Sequence, residues 1–224
     1  MNLSKSFEFF DPALIKNEWV RIIGCGSVGS TVAELIARFG ITKIALYDFD
    51  VVEPHNIVNQ MFTHRQIGMP KVEAVREILY DINPEVNIEM HNNGWEEGEP
   101  LDGYVFLAVD NIEIRKEIVK DNRFNEFIKA MFDFRTGLTD GQHYAADWTD
   151  FKSKQAFEKT MGFSHEEAKL NSPVSACNVA LCVAPTVRLI CNAGVTNFIN
   201  FVKGEHLYKQ IYTDAFGFRM DPVG

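Results

Sequence analysis

Three observations predict an α/β fold for this 224-residue chain: a doubly wound, mostly parallel sheet with flanking helices. An apolar run at 20–23 leads into glycines at 24, 26 and 29 (VRIIGCGSVGS), and these lead into a helical pattern at Val32, Leu35, Ile36 and Phe39. A second apolar run at 41–47 ends in Asp48. Beyond it, helix-period and strand-period segments keep alternating, and that order builds parallel sheets.

Residues 1–19 form a leader with an aromatic cluster (Phe7, Phe9, Phe10) and Trp19, suited to packing on the sheet or on a second subunit. The glycine turn comes next. In a strand-turn-helix setting G-x-G-x-x-G permits the tight turn, lets backbone approach a phosphate, and lets the helix pack on the strand, so the fold is Rossmann-like. The helix N-terminus offers free N–H groups and a positive dipole end to an anion. Gly40 closes that helix. Asp48 lies 19 residues past Gly29 (48 − 29), where an acid at a strand end can accept hydrogen bonds from ribose hydroxyls. These features alone suit NAD as well as ATP.

A helix over 72–82 ends near Asn83-Pro84, followed by a strand at 86–90, a polar loop, and a buried strand at 104–109 ending at Asp110. Arg115 reads either as a partner for an acid near the sheet edge or as a solvated helix charge. Residues 127–134 suggest a strand or strand-helix junction, with Asp133 and Arg135 at its end; Arg135 either faces the site or forms a structural ion pair. A strand at 141–148 precedes a charged helical stretch at 150–171, a solvated face or crossover. From 177 to 201 the chain is strongly apolar, with Pro185 expected to kink it or divide it into two helices.

The residues after the glycine turn do not suit a nicotinamide site. Asp48 and Asp50 are succeeded by Val52, Asn56, Gln60 and then Lys71 in GMPK, all just beyond strand ends where such sheets bind ligands. A second acid, two amides and a lysine in this order have no use in hydride transfer. ATP chemistry uses them.

The series D-x-D-x-V-x-x-x-N-x-x-x-Q, then G-x-P-K, then an apolar strand ending in Asp110-Asn111 resembles the ThiF/MoeB/HesA adenylyltransferases, in the superfamily of ubiquitin-activating enzymes. The resemblance covers residues 20 to about 135. It implies a single ThiF-like domain over 1–224: leader 1–19, nucleotide-binding core 20–135, strand and crossover 136–176, apolar helices and tail 177–224. The crossover would lie over the active site. Further roles implied are a glycine loop at Gly24, Gly26 and Gly29, Asp48 on the ribose beside Asp50, Lys71 on the triphosphate, Asp110 on Mg2+, and Asn56 and Gln60 shaping the phosphate pocket. The implied reaction is attack of a carboxylate on the α-phosphate of ATP, releasing pyrophosphate and leaving an acyl adenylate. The carboxylate would be the C-terminal glycine of a small ubiquitin-like or sulfur-carrier protein. Relatives pair the C-terminal apolar region across a two-fold axis, implying a homodimer.

Two departures from that pattern matter. The family usually has N-x-x-R-Q, and here Asn59 replaces the arginine; Arg65 on the following loop is a possible substitute. Many relatives hold zinc with two C-x-x-C pairs, whereas this chain has only Cys25, Cys177, Cys182 and Cys191, so no zinc site is expected. Cys177 reads either as a transferring thiol at a helix N-terminus or as a small buried residue.

A net charge of −9 argues against a nucleic-acid surface. No uninterrupted apolar run can span a bilayer, and scattered cysteines without a secretory signal point to reduced thiols in the cytoplasm. An ATP-dependent carboxylate-activating enzyme is the leading reading. A non-catalytic nucleotide-binding scaffold of the same family, and less so an NAD(P)-dependent oxidoreductase, are its alternatives.

Overall fold

A computed structural model describes residues 1–170 and 181–224. Strands β1 (Val20–Ile23), β2 (Lys43–Tyr47), β3 (Asn87–His91), β4 (Gly103–Leu107), β5 (Ile128–Thr136), β6 (Asp140–Asp147), β7 (Gln210–Asp214) and β8 (Arg219–Val223) form one sheet in the order β3-β2-β1-β4-β5-β6-β7-β8. The first five pair in parallel and the last three join antiparallel. Strand order reverses between β1 and β4, the position where such sheets open a crevice at their C-terminal ends.

Both faces of the parallel part are covered, which explains its unbroken apolar runs. Side chains alternate between faces along each strand. Ile22, Leu46, Phe106 and Phe132 point to one core, shared with α1 (Ser27–Arg38), α2 (Lys71–Ile82) and α6 (Ala184–Val202). Ile23, Tyr47, Leu107 and Met131 point to the other, covered by α3 (Ile112–Asp121) and α4 (Phe151–Lys159). Helix α6 reaches the sheet closely because Gly194 sits against the Phe134 ring, where a Cβ would come within 2.2 Å. Phe198 then packs edge-on against Phe106 and Phe132, with centroids 5.2 and 5.4 Å away. Each such pair adds about 0.5–1.5 kcal/mol beyond its area burial.

Several elements differ from expectation. Pro185 does not divide the C-terminal helix; it stands in the first turn of α6, where its missing N–H costs nothing. The stretch 150–171 contains two helices, α4 and α5 (His165–Leu170), separated around Gly162. The expected tail carries strands β7 and β8. In the leader, Phe10 is buried edge-on against Phe39, whereas Phe7 and Phe9 are exposed.

Candidate functional site

The three glycines do three different things. Gly24 has φ +97°, and a Cβ there would lie 2.7 Å from the Ala108 and Val109 backbone, so the turn and the end of β4 meet only because the side chain is absent. A Cβ on Gly29 would lie 1.8 Å from the Gly24 carbonyl oxygen. Gly26 has nothing within 4 Å of its Cβ position. It also caps α1 without any side-chain hydrogen bond, leaving the first-turn N–H groups uncapped beside open space.

Asp48 ties this turn to its neighbour. Its carboxylate accepts from the Cys25 N–H at 2.6 Å and from the Asp50 N–H at 2.8 Å. Burial still pushes this carboxyl above its ordinary range, against the pull of those bonds and of Lys71. Each oxygen keeps acceptor capacity for another donor. The Asp48 N–H bonds the His91 carbonyl at 3.2 Å, at the mouth of a cleft of about 310 Å³ lined by Met90, His91, Asn93, Gly94, Glu96 and Glu99. Lys71 begins α2 with only 10% of its side chain exposed, and its ammonium lies 2.7 Å from Asp50.

Asn56 is buried, its amide oxygen accepting from the Glu53 N–H at 2.9 Å, so it shapes its loop. Gln60 comes after it with a buried side-chain oxygen that has no partner among the described residues. Asn59 donates from Nδ2 to the Cys182 carbonyl at 3.1 Å, engaging the segment that leads to α6. Arg65 lies beside Asp81 near the far end of α2, 3.6 Å away and largely exposed. That is roughly 15 Å along the helix from Lys71, at about 1.5 Å per residue over ten residues (81 − 71).

Asp110 is exposed at the end of β4 and makes no hydrogen bond or ion pair among the described residues, because the adjacent Asn111 caps α3 in its stead, accepting from Glu113 N–H at 2.9 Å. A free carboxylate beside the glycine turn fits a hard divalent cation that keeps phosphate and water as its other ligands. Cys177 lies outside the described residues. Cys25 and Cys191 are buried, and burial raises both thiols.

Arg115 is buried. It donates to the Val109 carbonyl, beside Asp110, and to Asp133, a carboxylate with no exposure. Asp133 also accepts from Arg135 at 2.8 Å, and Arg135 reaches the Thr160 carbonyl at 2.8 Å. Arg135 therefore sits in a structural ion pair. Arg188 on α6, which belongs to none of the sequence motifs, donates to the Thr31 hydroxyl on α1. Its only sequence signal is a cation inside the apolar stretch.

A doubly wound sheet with a glycine turn, a strand-end acid and a lysine gathered at its switch point defines a Rossmann-like α/β domain. The ThiF family model matches residues 11–221, and the chain belongs to that family. It is 36% identical over 148 residues to ubiquitin-like modifier-activating enzyme 5 of Drosophila virilis, an alignment covering 57% of this chain and 36% of that one. It is 39% identical over 122 residues to the enzyme of the same name from Rattus norvegicus, covering 46% and 30%. The chain thus spans about a third of the length of these relatives. Among solved structures, E. coli MccB with ATP superposes with a TM-score of 0.72 at 17% identity, covering 95% of this chain and 65% of that one. PaaA gives 0.71 at 18%, covering 94% and 65%. Among the described residues, no helix is long and apolar enough to cross a membrane.

Proposed function

We propose that this chain binds ATP across the C-terminal ends of β1, β2 and β4 and activates a carboxylate as its acyl adenylate. The observation that carries this reading is the linked chain Gly26–Cys25–Asp48–Asp50–Lys71. An uncapped helix N-terminus, a strand-end acid and a buried ammonium are fixed to one another there, beside the free carboxylate of Asp110. Asp48 would accept from the ribose hydroxyls, with the base in the cleft beside His91. The first-turn N–H groups of α1 and Lys71 would hold the phosphates, the ammonium exchanging or sharing Asp50. Asp110 would hold Mg2+, which supplies charge neutralisation on the phosphates.

In the reaction an oxygen of the incoming carboxylate forms a bond to the α-phosphorus, and the bond from that phosphorus to the bridging oxygen breaks. The electron pair leaves with pyrophosphate. This chain's residues contribute by positioning and by stabilising charge. The similarity to ubiquitin-like modifier-activating enzyme 5 supports the C-terminal glycine of a ubiquitin-like or sulfur-carrier protein as the carboxylate. We also propose a homodimer, on the resemblance to a family that pairs its C-terminal region across a two-fold axis, and a cytoplasmic location, on the scattered cysteines.

Exchange of labelled pyrophosphate into ATP, with and without candidate carrier proteins, tests the reading. Carrier-dependent exchange that is lost in Lys71→Ala and Asp110→Ala supports it. ATP binding with no exchange for any carrier would convert the chain to a nucleotide-binding scaffold.

A further inference from the structure

The guanidinium absent at position 59 has no replacement in Arg65, which lies beside Asp81. A different arginine stands closer to the phosphate-binding turn. We infer that Arg188, held on α6 against Thr31 of α1, supplies the guanidinium for the nucleotide's phosphates that Asn59 cannot, an inference resting on the proposed binding of ATP.

The placement comes from five hydrogen bonds. Arg188 donates to the Thr31 hydroxyl, and that hydroxyl donates in turn to the Ser27 carbonyl at 2.7 Å. Ser27 is the first residue of α1, so the guanidinium lies about one helical turn from the uncapped N–H groups. Ser30, one residue before Thr31, donates to the Gly26 carbonyl at 2.7 Å and accepts from the Met61 N–H at 3.2 Å. The 59–61 segment therefore lies on this same first turn. Asn59 completes the arrangement by bonding the Cys182 carbonyl, which draws the start of α6 toward the position an arginine would occupy.

Charge points the same way. Arg21, Arg115 and Arg135 each meet a carboxylate, Asp102 for the first and Asp133 for the other two, whereas Arg76, half-buried on α2, meets none among the described residues. Arg188 is half-buried yet meets only a neutral hydroxyl among the described residues. Residues 168–180, which include those not described, contain no Asp or Glu. A half-buried guanidinium without an anion is costly to desolvate, and a phosphate would provide the missing partner with charge-assisted, fork-shaped bonds. The bond to Thr31 has an uncharged acceptor, and a phosphate oxygen would be the stronger partner for the same donor.

The test titrates the full chain with ATP and, separately, with adenosine, which has no phosphates. Arg188→Gln keeps a polar N–H donor and removes the charge; Arg188→Met removes both. Thermal unfolding without ligand identifies any variant that fails to fold. The expected result is ATP affinity weakened about 10- to 100-fold in Arg188→Gln, the size of one or two charged hydrogen bonds, with adenosine affinity unchanged. Equal loss for both ligands would make Arg188 a staple between α1 and α6 and overturn the inference. So would wild-type ATP affinity in both variants, although the proposed ATP binding would then stand. A wild-type chain that binds no ATP removes both.

Discussion

Lys71 Nζ sits 2.7 Å from Asp50 Oδ2, with the lysine stem buried and the carboxylate half exposed. The pair holds an ammonium in place at the start of α2, and the Lys71 N–H bonding the Asp50 carbonyl at 2.9 Å fixes the backbone beneath it. The carboxylate faces solvent, so the pair contributes little to stability and much to orientation. Lys71→Ala is expected to lower pyrophosphate exchange by about 10²–10³. Its folding free energy, read from urea titration, should change by only about 1–2 kcal/mol.

The glycine turn allows steric need and ligand need to be separated. Gly29→Ala forces a methyl into the Gly24 carbonyl, and backbone must move to admit it. A loss of about 3 kcal/mol or more is expected in chemical denaturation. Gly26→Ala meets only open space, so it should lose only about 1 kcal/mol, the cost of alanine at a helix N-cap. Its ATP affinity, measured by titration calorimetry, should nevertheless fall about tenfold or more, because the methyl occupies the approach to the first-turn N–H groups.

The parts of this site legible in the sequence are those set by local pattern. A strand, a glycine turn and a helix are readable because each is defined within a few residues; Asp48 is found by its distance from that turn, and Lys71 by the G-x-P-K motif of the resemblance. Arg115 is different: its burial depends on Asp133, eighteen residues away across the β4–β5 pairing, and nothing near Arg115 reports it. Arg188 meets Thr31 across 157 residues, a contact visible only once α6 lies on α1. The β7–β8 hairpin is illegible for another reason. In β7 only Ile211 and Thr213 are buried, and every residue of β8 is exposed, so the strands carry almost no periodic signal.

Asp133 lies with no exposure between the guanidinium groups of Arg115 and Arg135. Replacing it with alanine leaves two cations facing each other in a dry site, and breaking such a pair costs about 3–5 kcal/mol. Asp133→Ala should therefore unfold at much lower urea than the parent. The Val109 carbonyl depends on Arg115, so any folded fraction should also show weaker Mg2+-dependent ATP binding.

His143 gives the chain a defined acid limit. The ring is fully buried on β6, and burial holds it down to about 4 from an ordinary 6.5. Asn197 fixes the reason in geometry. Its Oδ1 accepts from Tyr208 N–H at 2.9 Å and its Nδ2 donates to the Tyr208 carbonyl at 2.8 Å, so the same Nδ2 must donate to His143 Nε2 at 3.2 Å. Nε2 is then the acceptor, and Nδ1 carries the proton toward the Asp133 carbonyl at 3.2 Å. Protonation would aim an N–H at an NH2 group. Between pH 6.5 and about 4 the unfolded chain binds a proton here that the folded chain refuses, so stability is present above the unfolded value and is lost as pH falls through this window. The loss reaches about 3 kcal/mol at the lower end. Folding free energies of the parent and of His143→Gln, each measured at pH 7 and pH 4.5, check this: the parent should lose clearly more than the variant on acidification. Equal losses would place the acid sensitivity in the carboxylates instead.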